Sequence, residues 1–473
     1  MTAAPLATTS RPGPGPADLV VDVAVVGAGV VGLATAWELR RRGRSVAVVD
    51  PDPGSGASRA AAGMLAPVSE VQYQQEPLYP LMTASAAEYP AFAAAVERTA
   101  GQEVGYRATE TLVCGVDAAD RQALADLREL QVRHGMAVEP LPLRAARSLE
   151  PALSPRLSAA FRIPADHQVD PRRLVAALLA ALAAPSLSGP DLTAPDLSEA
   201  ALSGSSLPDP VRDGADDGGP AHLVRERATA LRHDADGAVA GVVLADGRQV
   251  AAAETVLSPG TGIGALDGLP RTCRLPLRPV HGDILRARLP TGTPELLERT
   301  VRGLVRGVPV YVVPRADGTL VIGATSREDD LEGPSAGGVF RLLRDAQALV
   351  PGVADLELTE VMARARPGTP DDIPYLGRVR APDGGHVPGL VVSTGYFRHG
   401  VLLTPLAARL AAQLVTGKPG ADPAADAGHL ATTDPHRFDL HAAGPRDAGA
   451  HAVVPSAVPP AVPSASPLPN RRT

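Results

Sequence analysis

Residues 22–67, DVAVVGAGVVGLATAWELRRRGRSVAVVDPDPGSGASRAAAGMLAP, decide the fold of this chain. The apolar run at 23–26 is typical of a strand that is buried on both faces. A helix is predicted from Val30 to Arg42, where a basic last turn precedes Gly43. A second strand over 45–49 ends at Asp50, so the stretch predicts a strand–turn–helix–strand unit.

The turn between the first strand and the helix has the spacing of a dinucleotide-binding motif. Gly27 permits a tight turn, Gly29 lets a pyrophosphate approach the backbone, and Gly32 lets the helix pack closely on the strand. The helix N-terminus then offers free N–H groups to phosphates. Asp50, at the end of the second strand, is placed to bind ribose hydroxyls. Because all these parts occur in order, a nucleotide site is favoured over a merely structural glycine turn.

The motif alone does not separate NAD from FAD. The segment after Asp50, residues 56–67, is rich in Gly and Ala and has little helix or strand pattern. Such a loop allows backbone to approach a large flat ligand, which favours FAD. A flexible surface loop is the alternative, but this segment places Met64 and Leu65 among alanines rather than among charged residues.

Residues 61–67, AAGMLAP, following such a unit, resemble the glycine oxidases of the thiamine pathway, which belong to the D-amino acid oxidase-like FAD-dependent oxidoreductases. Further similar segments are RPVHGDIL at 278–285, YVVPRADG at 311–318, ARPGTPDDIPYLG at 365–377 and TGYFRHG at 394–400. The resemblance implies an α/β fold: an FAD-binding, Rossmann-like domain joined to an α+β substrate domain with a separate antiparallel sheet.

The domain boundaries follow from the same patterns. We expect a discontinuous FAD-binding domain over 19–100, 166–270 and 362–418, and a substrate domain over 101–165 and 271–361. Disorder is expected in a leader at 1–18, in a Ser-, Gly-, Pro- and Asp-rich insertion at 185–220, and in a Pro- and Ala-rich tail at 420–473. A helix is predicted after the second glycine loop, from Val401 to Thr416, and another after Asp170, which suits an N-cap.

Composition excludes several classes of function. The formal net charge is −7, with 45 Lys and Arg against 52 Asp and Glu, which argues against nucleic acid or an anionic membrane as partner. The two cysteines, Cys114 and Cys273, form no metal-binding pattern, so no metal site is expected. The longest apolar helix candidate, at 174–184, is too short to span a bilayer. We therefore expect a cytoplasmic protein. The sequence leaves open whether the chain forms a homo-oligomer.

The expected chemistry needs a cation that holds a substrate carboxylate, and only Arg supplies two parallel donors. The resemblance implies that Arg366 and Arg398 contact this carboxylate and that Tyr311 lines the same pocket. It implies non-covalent FAD, because no cysteine follows Cys273, in the region where covalent relatives attach the flavin. The expected cofactor contacts are Gly27, Gly29, Val30, Val31, Gly32, Asp50, Pro51, Ala57, Ser58, Ala61, Ala62, Gly63, Met64, Ala230, Tyr396, Phe397, Arg398, His399, Gly400, Val401 and Leu402.

The activity implied by the resemblance is oxidative deamination of glycine, and also of sarcosine or small D-amino acids. Hydride would pass from Cα to flavin N5, O2 would reoxidise the flavin to give H2O2, and the imine would serve thiazole synthesis for thiamine. Some glycine oxidases carry His where this chain has Pro309, which leaves the substrate preference open. The alternatives are a D-amino acid oxidase or dehydrogenase with another acceptor, and a nucleotide-binding protein without catalysis.

Overall fold

The structure, a computed structural model, describes residues 17–184 and 220–438. The expected leader and insertion, and most of the expected tail, lie outside these residues. The helices are α1 Val30–Arg41, α2 Ala57–Ala60, α3 Tyr79–Ala100, α4 Ala118–Arg133, α5 Leu143–Leu149, α6 Pro171–Ala183, α7 Ala336–Leu349, α8 Thr404–Thr416 and α9 Pro423–Thr432. The strands are β1 Leu19–Val26, β2 Val46–Val49, β3 Met64–Leu65, β4 Thr111–Gly115, β5 Glu139–Pro140, β6 Ala159–Ile163, β7 His167–Gln168, β8 Ala221–Val224, β9 Ala228–His233, β10 Val239–Leu244, β11 Gln249–Leu257, β12 Arg278–Arg288, β13 Thr300–Val305, β14 Val308–Pro314, β15 Thr319–Gly323, β16 Glu357–Gly368, β17 Tyr375–Arg380 and β18 His386–Thr394.

The first sheet is the nucleotide-binding one. Its strands follow the order β17-β18-β11-β1-β2-β8, and β10 and β9 extend it from β11 as a meander. The pairs among β18, β11, β1, β2 and β8 are parallel. Helices α1, α3, α6 and α8 bury one face in an Ala-, Val- and Leu-rich core, and the meander packs on the other. The expected Rossmann-like unit is confirmed.

The second sheet follows the order β16-β12-β15-β14-β13-β4-β6-β5. Its pairs are antiparallel, as expected, except that β13 lies parallel to β4. These two strands come from distant parts of the chain, so no hairpin forces them to run in opposite directions. One face of this sheet packs on α7, while the other faces the nucleotide-binding unit.

Three expectations need correction. The disorder expected from residue 420 is wrong for its first part, because α9 packs through Asp426, whose carboxylate accepts from Arg409 at 2.7 Å. Strand β16 belongs to the second sheet throughout, so it crosses the boundary placed at residue 362. Helix α8 begins at Thr404 rather than Val401, since the chain still turns at 399–403 and Pro405 favours a start there.

Two further findings concern a membrane-spanning helix and a metal site. None of the helices in residues 17–184 and 220–438 is long and apolar enough to cross a membrane. In the same residues, no cluster of three or more His, Cys, Asp and Glu side chains is arranged to hold a metal ion.

Candidate active site

A cavity of about 580 Å³ lies between the two sheets. On one side it is lined by the turns that follow β1, β2, β11 and β18, at the carboxyl ends of the parallel strands. Ligands of open α/β sheets bind at this edge. On the other side lie strands of the second sheet. The volume and the mixed apolar and charged lining are typical of a cofactor and substrate site.

The nucleotide end of the cavity is built around the first glycine turn. Gly27 has φ of +99°, and a Cβ there would lie 2.3 Å from the carbonyl oxygen of Ser258. A Cβ at Gly32 would lie 2.0 Å from the carbonyl oxygen of Gly27. Asp50 is oriented by the backbone, because its Oδ2 accepts from Ala28 N at 2.7 Å and its Oδ1 from Asp52 N at 2.8 Å. Each oxygen keeps a second lone pair for a ribose hydroxyl, so the turn fits a dinucleotide.

The small-residue loop after Asp50 forms the middle of the cavity wall. Gly63 has φ of +70°, and a Cβ there would lie 2.0 Å from the carbonyl oxygen of Val169. Buried Arg315 reaches across from the end of β14 and donates to the carbonyl oxygens of Ala62 and, at 2.8 Å, Val169. Burial lowers the pKa of Arg315 to about 10. The second sheet therefore holds the loop that is expected to lie beside the flavin.

The other end of the cavity, where the substrate is expected and which we call the substrate end, is lined by a row of side chains across the second sheet. Arg302 on β13 lies opposite Tyr311 on β14, which in turn lies opposite Gly323 on β15. A Cβ at Gly323 would lie 2.3 Å from the Tyr311 hydroxyl oxygen, so the ring needs glycine beside it. Burial raises the pKa of Tyr311, which keeps its hydroxyl protonated as a donor.

Arg366 lies on β16, opposite Val280. Its guanidinium lies against the backbone of Gly282, where a Cβ would come within 2.4 Å of both Nη1 and Nη2. Nη1 donates to the carbonyl oxygen of Thr325 at 3.2 Å. Burial lowers the pKa of Arg366, and the nearby charge of Arg398 lowers it further, but a guanidinium stays protonated at neutral pH. An anion in the cavity would relieve this repulsion.

Glu70 is the centre of a charged cluster that the sequence did not predict. Its Oε1 accepts from Arg302 Nη1 at 2.7 Å and from Arg398 Nη2 at 3.5 Å. Burial opposes ionisation of Glu70, but the charges of Arg302 and Arg398 outweigh it and lower the pKa to about 2. His399 Nδ1 lies 3.7 Å from Glu70 Oε2, and burial lowers the pKa of His399 to about 4, so this ring is neutral at pH 7.

The structure brings most of the predicted residues together. Arg366, Arg398 and Tyr311 line one cavity with the two glycine turns and the small-residue loop. Pro51, Ala230, His399 and Leu402 do not line it: Ala230 pairs with Val243 in the meander, and His399 is turned toward Glu70. Their contact with the cofactor stays a prediction.

Sequence reasoning missed Glu70 and Arg302. Glu70 lies in a turn before α3, and none of the motifs found in the sequence includes it. Arg302 lies in an unpredicted strand, β13, and only the pairing of β13 with β14 places it beside Tyr311. The turn at Ser258, Pro259 and Gly260 was not assigned to the site either, although it lines the cavity.

Comparison with known proteins agrees with this geometry. The family model described as FAD dependent oxidoreductase matches residues 22–185 and 211–414. The glycine oxidase of Geobacillus kaustophilus is 32% identical over 402 residues, which cover 84% of this chain and 93% of that protein. The bifunctional protein ThiO/ThiG of Nostoc sp. is 30% identical over 398 residues, covering 83% of this chain and 52% of that protein. The chain thus spans about half the length of such bifunctional relatives.

Solved structures show the same likeness. The crystal structure of glycine oxidase from Geobacillus kaustophilus superposes with a TM-score of 0.71 and 32% identity, covering 89% of this chain and 99% of that one. The iminodiacetate oxidase from Chelativorans sp. superposes with a TM-score of 0.67 and 25% identity, covering 85% of this chain and 97% of that one.

Proposed function

Because this chain belongs to the family of FAD-dependent oxidoreductases, we propose that it is an amino acid oxidase that deaminates glycine oxidatively. Sarcosine and small D-amino acids are further candidate substrates. The observation on which the proposal rests is the position of Arg366, whose guanidinium lies in the cavity beside Tyr311 without a carboxylate partner in the described part of the chain. A substrate carboxylate supplies the missing anion.

The residues of the first sheet would hold the cofactor. Gly27, Gly29 and the start of α1 form a cradle for a pyrophosphate, and Asp50 presents its carboxylate to a ribose. FAD, when bound, supplies the two-electron acceptor for oxidation at the substrate's Cα. The Gly- and Ala-rich loop, held by Arg315, forms the wall beside it.

In this proposal Arg366 and Tyr311 position the substrate, and Glu70 does not act as a general base. Arg366 donates to the carboxylate, and the Tyr311 hydroxyl donates to the same group or accepts from the amine. Glu70 is a poor general base, since its pKa of about 2 reflects its contacts with Arg302 and Arg398. We therefore propose that the substrate binds with a neutral amine, so that kcat/KM rises with pH toward the pKa of the free amine.

The remaining steps are part of the proposal. O2 is the proposed final acceptor, giving H2O2, and the imine is the proposed product for thiazole and thiamine synthesis. A relative from Rhizobium etli is named putative thiamine biosynthesis oxidoreductase ThiO, which supports the link to thiamine. A D-amino acid oxidase or dehydrogenase with another acceptor is the second candidate, because Pro309 lines the cavity where some glycine oxidases carry His. A cytoplasmic location fits the two free cysteines, and the oligomeric state is left to gel filtration.

The test separates electron transfer from the choice of acceptor. Purified protein should show flavin absorption, and anaerobic glycine, sarcosine or D-alanine should bleach it; H2O2 release in air then tests O2 as acceptor. Arg366→Ala should retain flavin but lose bleaching by glycine, while Arg288→Ala, on the exposed end of β12, should behave as the unchanged protein. Normal apparent affinity of Arg366→Ala for glycine would refute the carboxylate role, and protein that cannot be loaded with FAD would refute the activity.

A further inference from the structure

A second cavity, of about 190 Å³, adjoins the substrate end of the active site. Three residues line both cavities: Arg302, Pro309 and Arg398. We call the second cavity the side chamber. Its inner wall is apolar and comes from β4, α4, β6, β13 and the segment just before β5, chiefly Val113, Leu124, Val138, Phe161, Ile163 and Leu304.

The pairing of the strands explains why the two cavities are neighbours. Phe161 lies opposite Val113, Val113 opposite Arg302, and Arg302 opposite Tyr311. Residues that face one another across a sheet point to the same side. The side chamber and the substrate end of the active site therefore lie over one face of the second sheet, and Arg302 marks the boundary between them.

The chemistry of the chamber restricts its occupant. Among the described residues that line it, the charged groups are Arg302 and Arg398, both at the shared boundary, and neither Asp nor Glu is present. Arg302 is already paired with Glu70 at 2.7 Å. The Gln131 amide is also used, since Nε2 donates to the carbonyl oxygen of Val68 at 2.9 Å. Ser69 and Gln72 are the other polar residues that line the chamber, and neither carries a charge. The interior therefore suits an uncharged, largely apolar group.

We infer that the side chamber is a subsite for an apolar substituent of the amino acid substrate, up to the size of a benzyl group. This rests on the proposed function, in which Arg366 binds the carboxylate. A group on the substrate nitrogen or Cα then passes Pro309, whose ring offers no hydrogen-bond donor, into the chamber. An apolar cavity of about 150 Å³ is large enough to bind benzene, and this chamber is larger.

The test compares N-benzylglycine with sarcosine, which has only a methyl group on nitrogen. The concentration dependence of anaerobic bleaching of the FAD-loaded protein should give an apparent Kd for N-benzylglycine about ten- to a hundredfold lower than for sarcosine, because the ring leaves water for an apolar chamber. Val138→Phe and Leu124→Phe, which fill the chamber, should abolish this advantage and leave glycine turnover unchanged. Leu124→Met, of nearly conserved volume, should keep the advantage.

The outcomes distinguish the chamber from the proposed function. Flavin content and melting temperature identify a filling variant that has not folded, in which case the other variant is used. The chamber proposal is overturned if the protein oxidises glycine but N-benzylglycine neither bleaches the flavin nor competes with glycine. It is also overturned if the filling variants weaken glycine and N-benzylglycine equally. If no amino acid bleaches the flavin, the proposed function fails. The chamber is then tested by binding alone: N-benzylglycine should perturb the flavin spectrum of the unchanged protein but not that of Val138→Phe, and the absence of any perturbation would overturn the chamber proposal.

Discussion

Arg302 donates from Nη1 to Oε1 of Glu70 at 2.7 Å, and the two side chains are only 11% and 8% exposed. The pair joins a strand of the second sheet to the turn that follows the small-residue loop, at the boundary between the active site and the side chamber. A buried ion pair is costly to break, because the remaining charge keeps its desolvation cost without its partner.

Glu70→Gln should therefore destabilise the protein by about 3 kcal/mol, as measured by urea unfolding. The double variant Glu70→Gln/Arg302→Gln should recover part of this loss, because it also removes the guanidinium of Arg302, which is more deeply buried than that of Arg398. Asp246→Asn is the matched control: its pair with Arg248 also measures 2.7 Å but is exposed, so the loss should be much smaller than that of Glu70→Gln. Equal losses of stability in Glu70→Gln and Asp246→Asn would show that burial does not determine how much the pair of Glu70 and Arg302 stabilises the protein.

Gly282→Ala should weaken glycine binding without loss of flavin. The added Cβ would come within 2.4 Å of the Arg366 guanidinium, which must then move from its place against the backbone. We expect at least about a tenfold increase in the apparent KM for glycine, since charge-assisted hydrogen bonds are worth about 1.5–3 kcal/mol. Gly337→Ala, whose Cβ would meet nothing within 4 Å, should change neither quantity. An unchanged KM in Gly282→Ala would separate Arg366 from substrate binding.

Arg315→Met should lower the affinity for FAD. The change leaves the carbonyl oxygens of Ala62 and Val169 without their donor, and it releases the loop beside the cofactor. We expect about a ten- to hundredfold increase in the dissociation constant, from titration of apoprotein with FAD by fluorescence quenching. Arg288→Met, at an exposed position on β12, should bind FAD normally. Equal affinity in both variants would contradict this role of Arg315.

Asp166 should make stability depend on pH between about 4 and 6. Burial raises the pKa of its carboxyl to about 6 from the usual 3.8, although Ser69 and Val68 hydrogen-bond to it. The folded protein then binds a proton that the unfolded chain does not bind, so stability increases as pH falls from about 6 toward 4. The effect should be on the order of 3 kcal/mol.

Asp166→Asn should remove this dependence, because an amide does not titrate. The variant should also be less stable at every pH, since Val68 N and Ser69 N donate to the two different oxygens of Asp166 and the amide oxygen keeps only one of these bonds. Glu70 has the opposite sign, since its lowered pKa contributes stability that is lost between about 4.5 and 2. The measurement is the urea midpoint at several pH values from 4.5 to 7. If the urea midpoint still depends on pH in the same way in Asp166→Asn, another titrating group is responsible.

Local patterns in the sequence determined the nucleotide end of the site. The turn at Gly27, the helix after it and Asp50 lie within 30 residues of one another, so spacing alone places them around one ligand. Asp170 was predicted as an N-cap for the same reason, and it accepts from the backbone of Arg172 at 2.9 Å. The family resemblance added Arg366, Arg398 and Tyr311, which the structure brings into one cavity.

Only the tertiary structure decided what surrounds the proposed position of the substrate. Glu70 and Arg302 are 232 residues apart, and their pairing depends on how β13 is aligned with β4 and β14. Strand register is set by packing across the whole sheet, and a shift by one residue would turn Arg302 to the opposite face. The side chamber has the same origin, since strands β4, β6 and β13 must align before Val113, Phe161 and Leu304 enclose a space beside the active site.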